Sequence, residues 1–349
     1  MTLQVLDAMA RMGFEEVHCL HDQASGLRGF IAIHDTSAGP AFGGVRRMDY
    51  RTEEQALLDC LRLSRAMSHK CVLAELPAGG AKIVLLDGED VDWPMAYGAL
   101  GRSVERLGGR LYTGPDVNTG EEELRAMVAE TRFVTDPGPS GPGLLGESTA
   151  EGVFASMAAA LEQLDGEVDW PRRTVAIQGL GVVGLALARR LVAQGAKVLA
   201  SELDSERAEA AAQELGIELL KAEHGFAVDC DVFSPCALGG ILHDLSVERL
   251  RCRAVVGGAN NVLARSLHGD RLHERGILYV PDFLANSGAL IRGTLFHLEG
   301  ERLAPEDIGR RVAGTVRSVL AKAIDEDRPP ARVAAEMAET RLESRRALG

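Results

Sequence analysis

Apolar positions fall into two rhythms that alternate along most of the chain. Residues 27–35 (LRGFIAIHD) are dense in β-forming side chains, whereas residues 51–64 carry apolar residues at helical spacing. The same alternation predicts a short strand at 81–86, a helix at 94–107, a strand at 110–113 and a helix at 121–130. Residues 136–143, Asp-Pro-Gly-Pro-Ser-Gly-Pro-Gly, hold no regular element and form the linker or hinge candidate. A helix at 148–164, a strand at 173–178, a helix at 185–194 and a strand at 197–201 follow. Strands at 228–234, 254–257 and 277–280 continue the pattern. Helices run from residue 305 onward, with a break at Pro329-Pro330. Such a succession predicts an α/β fold.

At 349 residues the chain exceeds the size at which a single core stops growing, so two domains are expected. The balance of 38 basic against 51 acidic residues leaves a net charge of −13. That surface repels phosphate backbones and anionic membranes, so neither nucleic acid nor lipid is an expected partner. Cysteines stand at 19, 60, 71, 230, 236 and 252, with no CxxC and no metal-like cluster. They are expected as reduced thiols in a cytoplasmic protein, and no metal is expected. Residues 1–16 carry acids and no apolar core, so no signal peptide is expected either.

The strand at 173–178 runs into Gly179-Leu180-Gly181-Val182-Val183-Gly184, a helix follows, and the next strand ends at Glu202. A dinucleotide fingerprint needs this context. The first glycine permits the tight turn, the second lets backbone reach a diphosphate, and the third lets helix and strand pack closely. The diphosphate then sits at a helix N-terminus, where free N–H groups favour an anion. Glu202 is placed to accept from ribose hydroxyls and would repel a 2′-phosphate, so NAD is favoured over NADP. Arg207 nearby pulls the other way.

Two lysines twelve residues apart carry the remaining chemistry, in Met67-Ser68-His69-Lys70 and in Leu76-Pro77-Ala78-Gly79-Gly80-Ala81-Lys82. A lysine in a loop is ordinarily a solvated charge. Here Gly79-Gly80 and Gly43-Gly44-Val45-Arg46 permit close backbone approach to a ligand. One ammonium can bind a carboxylate, and a second, crowded by the first and partly desolvated, can act as a base. Asp116, in TGPDVNT, is either a third member of this group or the cap of the helix that follows it.

Eight ordered segments then resemble the amino-acid dehydrogenases of the glutamate/leucine/phenylalanine/valine family, with the leucine branch nearest. They are GPAFGGVRRM (39–48), MSHK (67–70), LPAGGAK (76–82), TGPDVNT (113–119), GLGVVG (179–184), SPCALGG (234–240), GGANN (257–261) and PDFLANSG (281–288). The resemblance implies an N-terminal α/β substrate-binding and oligomerisation domain, residues 1–138 plus 328–349. It also implies a Rossmann-type doubly wound NAD-binding domain, residues 139–327, with closure around 136–143. Lys70 would hold the substrate carboxylate, aided by the Gly43-Gly44 backbone and Asn286. Lys82 would be the general base, and Asp116 would exchange protons with the substrate nitrogen. Phe42 would stand at the mouth of the side-chain pocket, and Gly114 would be a further substrate-binding residue. Thr149, Ala237 and Asn260 would line the NAD cleft beside the residues from Gly179 to Gly184 and Glu202.

The implied reaction is reversible NAD-dependent oxidative deamination of a leucine-like L-amino acid to its 2-oxo acid with release of ammonium, by a homo-oligomer. Phe42 stands where the leucine branch commonly has an aliphatic residue, and TGPDVNT is closer to the phenylalanine branch. An aromatic amino acid is therefore the alternative substrate. A 2-hydroxy-acid dehydrogenase would need an arginine and a histidine–acid pair, which no motif supplies. A catalytically silent NAD-binding homologue would not need Lys70, Lys82 and Asp116 together.

Overall fold

The computed structural model describes residues 4–221 and 225–348, so the segment 1–16 lies partly outside it. Two compact units emerge, Met1–Gly143 with Gly293–Arg302 and Ala338–Gly349, and Leu144–Arg292 with Leu303–Met337. The first unit thus extends through the proline–glycine segment to Gly143 and takes in 293–302, which the sequence reading had placed in the other domain. No helix among the described residues is long and apolar enough to cross a membrane.

The first unit opens with helix α1 (Val5–Met12) and strands β1 (Glu16–Asp22), β2 (Leu27–Asp35) and β3 (Ala41–Met48). Helix α2 (Glu53–Leu73), strand β4 (Gly79–Leu86), helix α3 (Trp93–Arg106), strand β5 (Leu111–Pro115) and helix α4 (Glu121–Val128) follow. Helix α2 starts where Thr52 Oγ1 accepts from the Gln55 N–H, with Glu53 and Glu54 favouring the positive end of the helix. It runs nine residues past the predicted end, to Leu73. The five strands order as β1-β2-β4-β3-β5, with β3 parallel to both β4 and β5. Alternation sorts the sheet into two faces. Ile31, Val45, Ile83 and Leu111 join the core formed with α3 and α4, while Ala32 and Val84 pack with Leu57, Cys60 and Leu61 of α2.

The second unit begins with helix α5 (Leu145–Asp165), strand β6 (Thr174–Gln178), helix α6 (Val182–Ala193), strand β7 (Lys197–Ser201), helix α7 (Ser205–Leu215) and strand β8 (Glu218–Leu219). Strand β9 (Asp229–Pro235), helix α8 (Asp244–Arg249), strand β10 (Arg251–Val255), helix α9 (Leu267–Glu274), strand β11 (Leu278–Tyr279) and helix α10 (Asp282–Ala285) complete its sheet layer. Helices α11 (Gly288–Glu299), α12 (Pro305–Asp325) and α13 (Pro330–Leu348) close the chain. Its six strands order as β11-β10-β9-β6-β7-β8, every pair parallel. This is the doubly wound arrangement, whose strand order reverses beside β6. Ligands bind at such a switch point, outside the carboxyl ends of the strands.

Candidate active site and cofactor cradle

In the first unit, Lys70 lies in the last turn of α2 and Lys82 inside strand β4, so neither is a loop residue. The glycines around them serve strand packing. A Cβ at Gly79 would sit 1.6 Å from the Asp35 carbonyl oxygen, and one at Gly80 would sit 2.1 Å from the Ser68 nitrogen on α2. Gly43 likewise has the Ala81 carbonyl oxygen 1.8 Å from its absent Cβ. The double glycines let β3, β4 and α2 crowd together, and the lysines are placed by that crowding.

Lys82 Nζ meets Asp116 Oδ2 at 2.6 Å, with both side chains nearly buried. Its close neighbour is thus the Asp116 carboxylate, which makes Asp116 the third member of the lysine group rather than the cap of the following helix. The same oxygen accepts from Arg46 Nε at 3.0 Å. Burial alone would raise the Asp116 pKa, but Lys82 and Arg46 outweigh it and hold the carboxyl below its usual range. Asp116 is not a helix cap, because α4 begins five residues later and the Gly120 N–H donates to Glu123 at its start.

Phe42 and Tyr112, paired in register across β3 and β5, stack with ring centroids 5.0 Å apart. His297 tilts against both rings, and its buried Nε2 has no hydrogen-bond partner among the described residues. Burial lowers its pKa, so the ring is neutral. Phe42 and Gly44 lie two positions apart on β3 and share the face that carries Lys82. The aromatic group is therefore about 7 Å along the sheet from the Lys82–Asp116 pair. Gly114, one pair along β5, lies against Thr135, whose Oγ1 would be 2.9 Å from an added Cβ. The sequence reading missed Tyr112 and His297. The first was legible in strand alternation, but the second is far off in sequence and was not.

In the second unit, Gly179 has φ 94°, the left-handed region that favours glycine, and its missing Cβ leaves room for Ala237. A Cβ at Gly184 would lie 1.9 Å from the Gly179 carbonyl oxygen, whereas Gly181 faces open space. Helix α6 begins at Val182, so Gly181, Val182 and Val183 present the free amides of a helix N-terminus there. Glu202 binds this loop directly. Its Oε2 accepts from the Leu180 N–H at 2.8 Å and its Oε1 from the Leu203 and Asp204 amides. Burial opposes its ionisation, but these amides and Arg207 pull its pKa down. Asn286 donates to the carbonyls of Gly258 and Ala259 and to Asn260 Oδ1 at 2.8 Å, tying together two residues expected at different ligands. Thr149 Oγ1 donates back to the Leu145 carbonyl within α5. The cradle fits a dinucleotide: a tight glycine turn, an open middle glycine and a helix N-terminus at the switch point of a parallel sheet.

Residues 14–133 match the model of the Glu/Leu/Phe/Val dehydrogenase dimerisation domain, and residues 202–299 match the glutamate/leucine/phenylalanine/valine dehydrogenase model. Leucine dehydrogenase of Geobacillus stearothermophilus is 36% identical, over 99% of this chain and 95% of its own. Phenylalanine dehydrogenase of Thermoactinomyces intermedius is 40% identical, over 82% of this chain and 80% of its own. The crystal structure of L-tryptophan dehydrogenase from Nostoc punctiforme superposes with a TM-score of 0.85 at 32% identity, covering 98% of this chain and all of that one. With both halves matched and relatives this similar over most of its length, the chain belongs to the glutamate/leucine/phenylalanine/valine dehydrogenase family and is an amino-acid dehydrogenase that uses a nicotinamide cofactor.

Proposed function

We propose that this enzyme catalyses the reversible conversion of a branched-chain L-amino acid, NAD⁺ and water to the 2-oxo acid, ammonium, NADH and a proton. The observation that carries the reading is the buried contact of Lys82 with Asp116, an amine and an ionised carboxylate held together on the sheet face that α2 covers. Lys70, at the end of α2, supplies the positive charge that holds the substrate carboxylate, with the Gly43-Gly44 backbone as a further contact. Lys82 is the general base that activates the amine and later the water attacking the imine carbon. Asp116 exchanges protons with the nitrogen as it becomes imine and then carbinolamine. Phe42 stands at the mouth of the side-chain pocket, and Gly114 is a further substrate-binding residue.

Residues Gly179 to Gly184, with Glu202, hold the diphosphate and ribose of the cofactor, and Thr149, Ala237 and Asn260 line its cleft. When bound, its nicotinamide ring supplies the acceptor for the Cα hydride. Glu202 is ionised and would repel a 2′-phosphate, which supports NAD over NADP. The relatives named leucine dehydrogenase support an aliphatic side chain, and the bulk of Phe42, Tyr112 and His297 favours a compact one. The same stacked rings support an aromatic amino acid as the second reading. The match of residues 14–133 to a dimerisation domain supports a homo-oligomer. The free cysteines are in keeping with a cytoplasmic enzyme.

Initial rates of cofactor reduction with L-leucine, L-valine, L-isoleucine, L-phenylalanine and L-tryptophan, each with NAD⁺ and with NADP⁺, test the reading. It predicts turnover on the first three with NAD⁺. Preference for phenylalanine or tryptophan selects the second reading, and silence from a protein that binds NADH overturns both.

A further inference from the structure

Asp116 offers two oxygens, and the structure uses them unequally. Lys82 Nζ at 2.6 Å and Arg46 Nε at 3.0 Å both go to Oδ2. Among the described residues Oδ1 has no hydrogen-bond partner. Arg46 is itself held from behind, because its Nη1 lies 3.1 Å from Asp59 Oδ2, the oxygen that also accepts from the Tyr50 hydroxyl at 2.8 Å. Asp59 Oδ1 accepts from Arg62 Nη2 at 2.8 Å, so the α2 end of the chain of contacts is fixed as well. Arg46, Asp59 and Asp116 are all nearly buried, with side chains 12%, 14% and 12% exposed.

We infer that Arg46, anchored by Asp59 and Tyr50, is a positioning residue that pins Oδ2 of Asp116 and thereby presents Oδ1 to the reacting nitrogen. The inference rests on the proposed role of Asp116 and adds what fixes its geometry. A guanidinium suits this place because its rigid fork bridges two carboxylates at once, which a lysine ammonium on a flexible stem does not reproduce. The arrangement also sets the charge of Asp116. The groups facing its carboxylate are Lys82 from β4 and Arg46 from β3, with Asp59, Tyr50 and Arg62 behind Arg46. Removing Arg46 takes away one of the two cations that oppose burial, so protonation of Asp116 moves to higher pH.

The test is the pH dependence of kcat and KM for wild type, Arg46→Gln, Arg46→Lys, Asp59→Asn and Asp116→Asn, with NADH binding and Tm recorded for each. Arg46→Gln should bind NADH normally, lose roughly a hundredfold in kcat, as misplacement by about an ångström costs, and shift the acid limb of its profile upward. KM for the amino acid should change less. Arg46→Lys should restore the acid limb more than it restores kcat. Asp59→Asn should move both in the direction of Arg46→Gln by a smaller factor. A folded Arg46→Gln with the wild-type kcat and acid limb overturns the inference. If Arg46→Gln does not fold, an unshifted profile in Asp59→Asn overturns it. Full activity in Asp116→Asn would instead remove the role of Asp116 on which the inference stands.

Discussion

Lys82 reaches Asp116 across strand β3, because the sheet order places β3 between β4 and β5. Gly44 of β3 is what leaves the way open. A Cβ there would lie 2.7 Å from the Pro115 carbonyl oxygen and 3.0 Å from the Asp116 Cβ. Gly44→Ala should therefore displace Asp116 from Lys82 and lower kcat by tenfold or more, with NADH affinity unchanged. Steady-state kinetics beside NADH titration check this, and wild-type kcat in Gly44→Ala would contradict it.

The two lysines should separate kinetically. Lys70→Met removes a charge that binds the substrate in ground state and transition state alike, so KM should rise with kcat little changed. A charge-assisted hydrogen bond contributes about 1.5–3 kcal/mol, which corresponds to a rise of roughly ten- to 150-fold. Lys82→Met should instead lower kcat by about a hundredfold or more, the scale of general acid–base catalysis. Equal effects of both substitutions on KM alone would refute the division of labour.

Two glycines of the cradle make a matched pair. Gly184→Ala places a Cβ 1.9 Å from the Gly179 carbonyl oxygen and should lower both Tm and cofactor affinity. Gly181→Ala meets nothing within 4 Å, so Tm should hold while NAD⁺ affinity falls, because the new methyl occupies the diphosphate approach. Thermal melts and NADH titration of the two variants decide it.

His34 predicts an acid sensitivity outside the active site. Its ring is buried, with Nδ1 2.8 Å from Ser68 Oγ and Nε2 3.1 Å from the Met12 carbonyl, and burial lowers its pKa to about 4. The unfolded chain takes up this proton near the usual histidine value of about 6.5, so it binds more protons than the folded state between those two values. Stability is then full above the unfolded value and falls as pH drops toward about 4, at about 1.4 kcal/mol per pH unit for that proton. Carboxylates held below their usual range, such as Asp59, lose their contribution only at lower pH. Urea unfolding at neutral and mildly acidic pH should show a shallower pH dependence in His34→Gln than in wild type.

The strand–helix rhythm was legible wherever one side chain face is uniformly apolar. Strand 27–35 and strand 197–201 match β2 and β7 residue for residue. Strand β3 escaped because its first half holds Gly43-Gly44, and glycine carries no hydrophobic signal even where strand packing demands it. The last third of α2 escaped for a related reason. Ser68, which faces Gly80, is small and polar yet fully buried, so periodicity faded before the helix did. Lys70, Lys82 and Asp116 were recognisable from their motifs, but the 2.6 Å contact of two of them was not. Arg46 stands in a quoted motif, but its link to Asp59 and Tyr50 carries no local signal, because only the packing of α2 on the sheet brings the three together.

The central claim is that this chain removes hydride from the α-carbon of an amino acid and releases its nitrogen. L-leucine deuterated at Cα, incubated with NAD⁺ and the wild-type enzyme, tests it most directly through the mass of the reduced cofactor and the yield of ammonium. The account predicts one deuterium in each reduced cofactor, one ammonium per cofactor reduced, and formation of both products slowed by about a hundredfold or more in Lys82→Met. Reduced cofactor without deuterium, or no reduction with any amino acid by a protein that binds NADH, would contradict it.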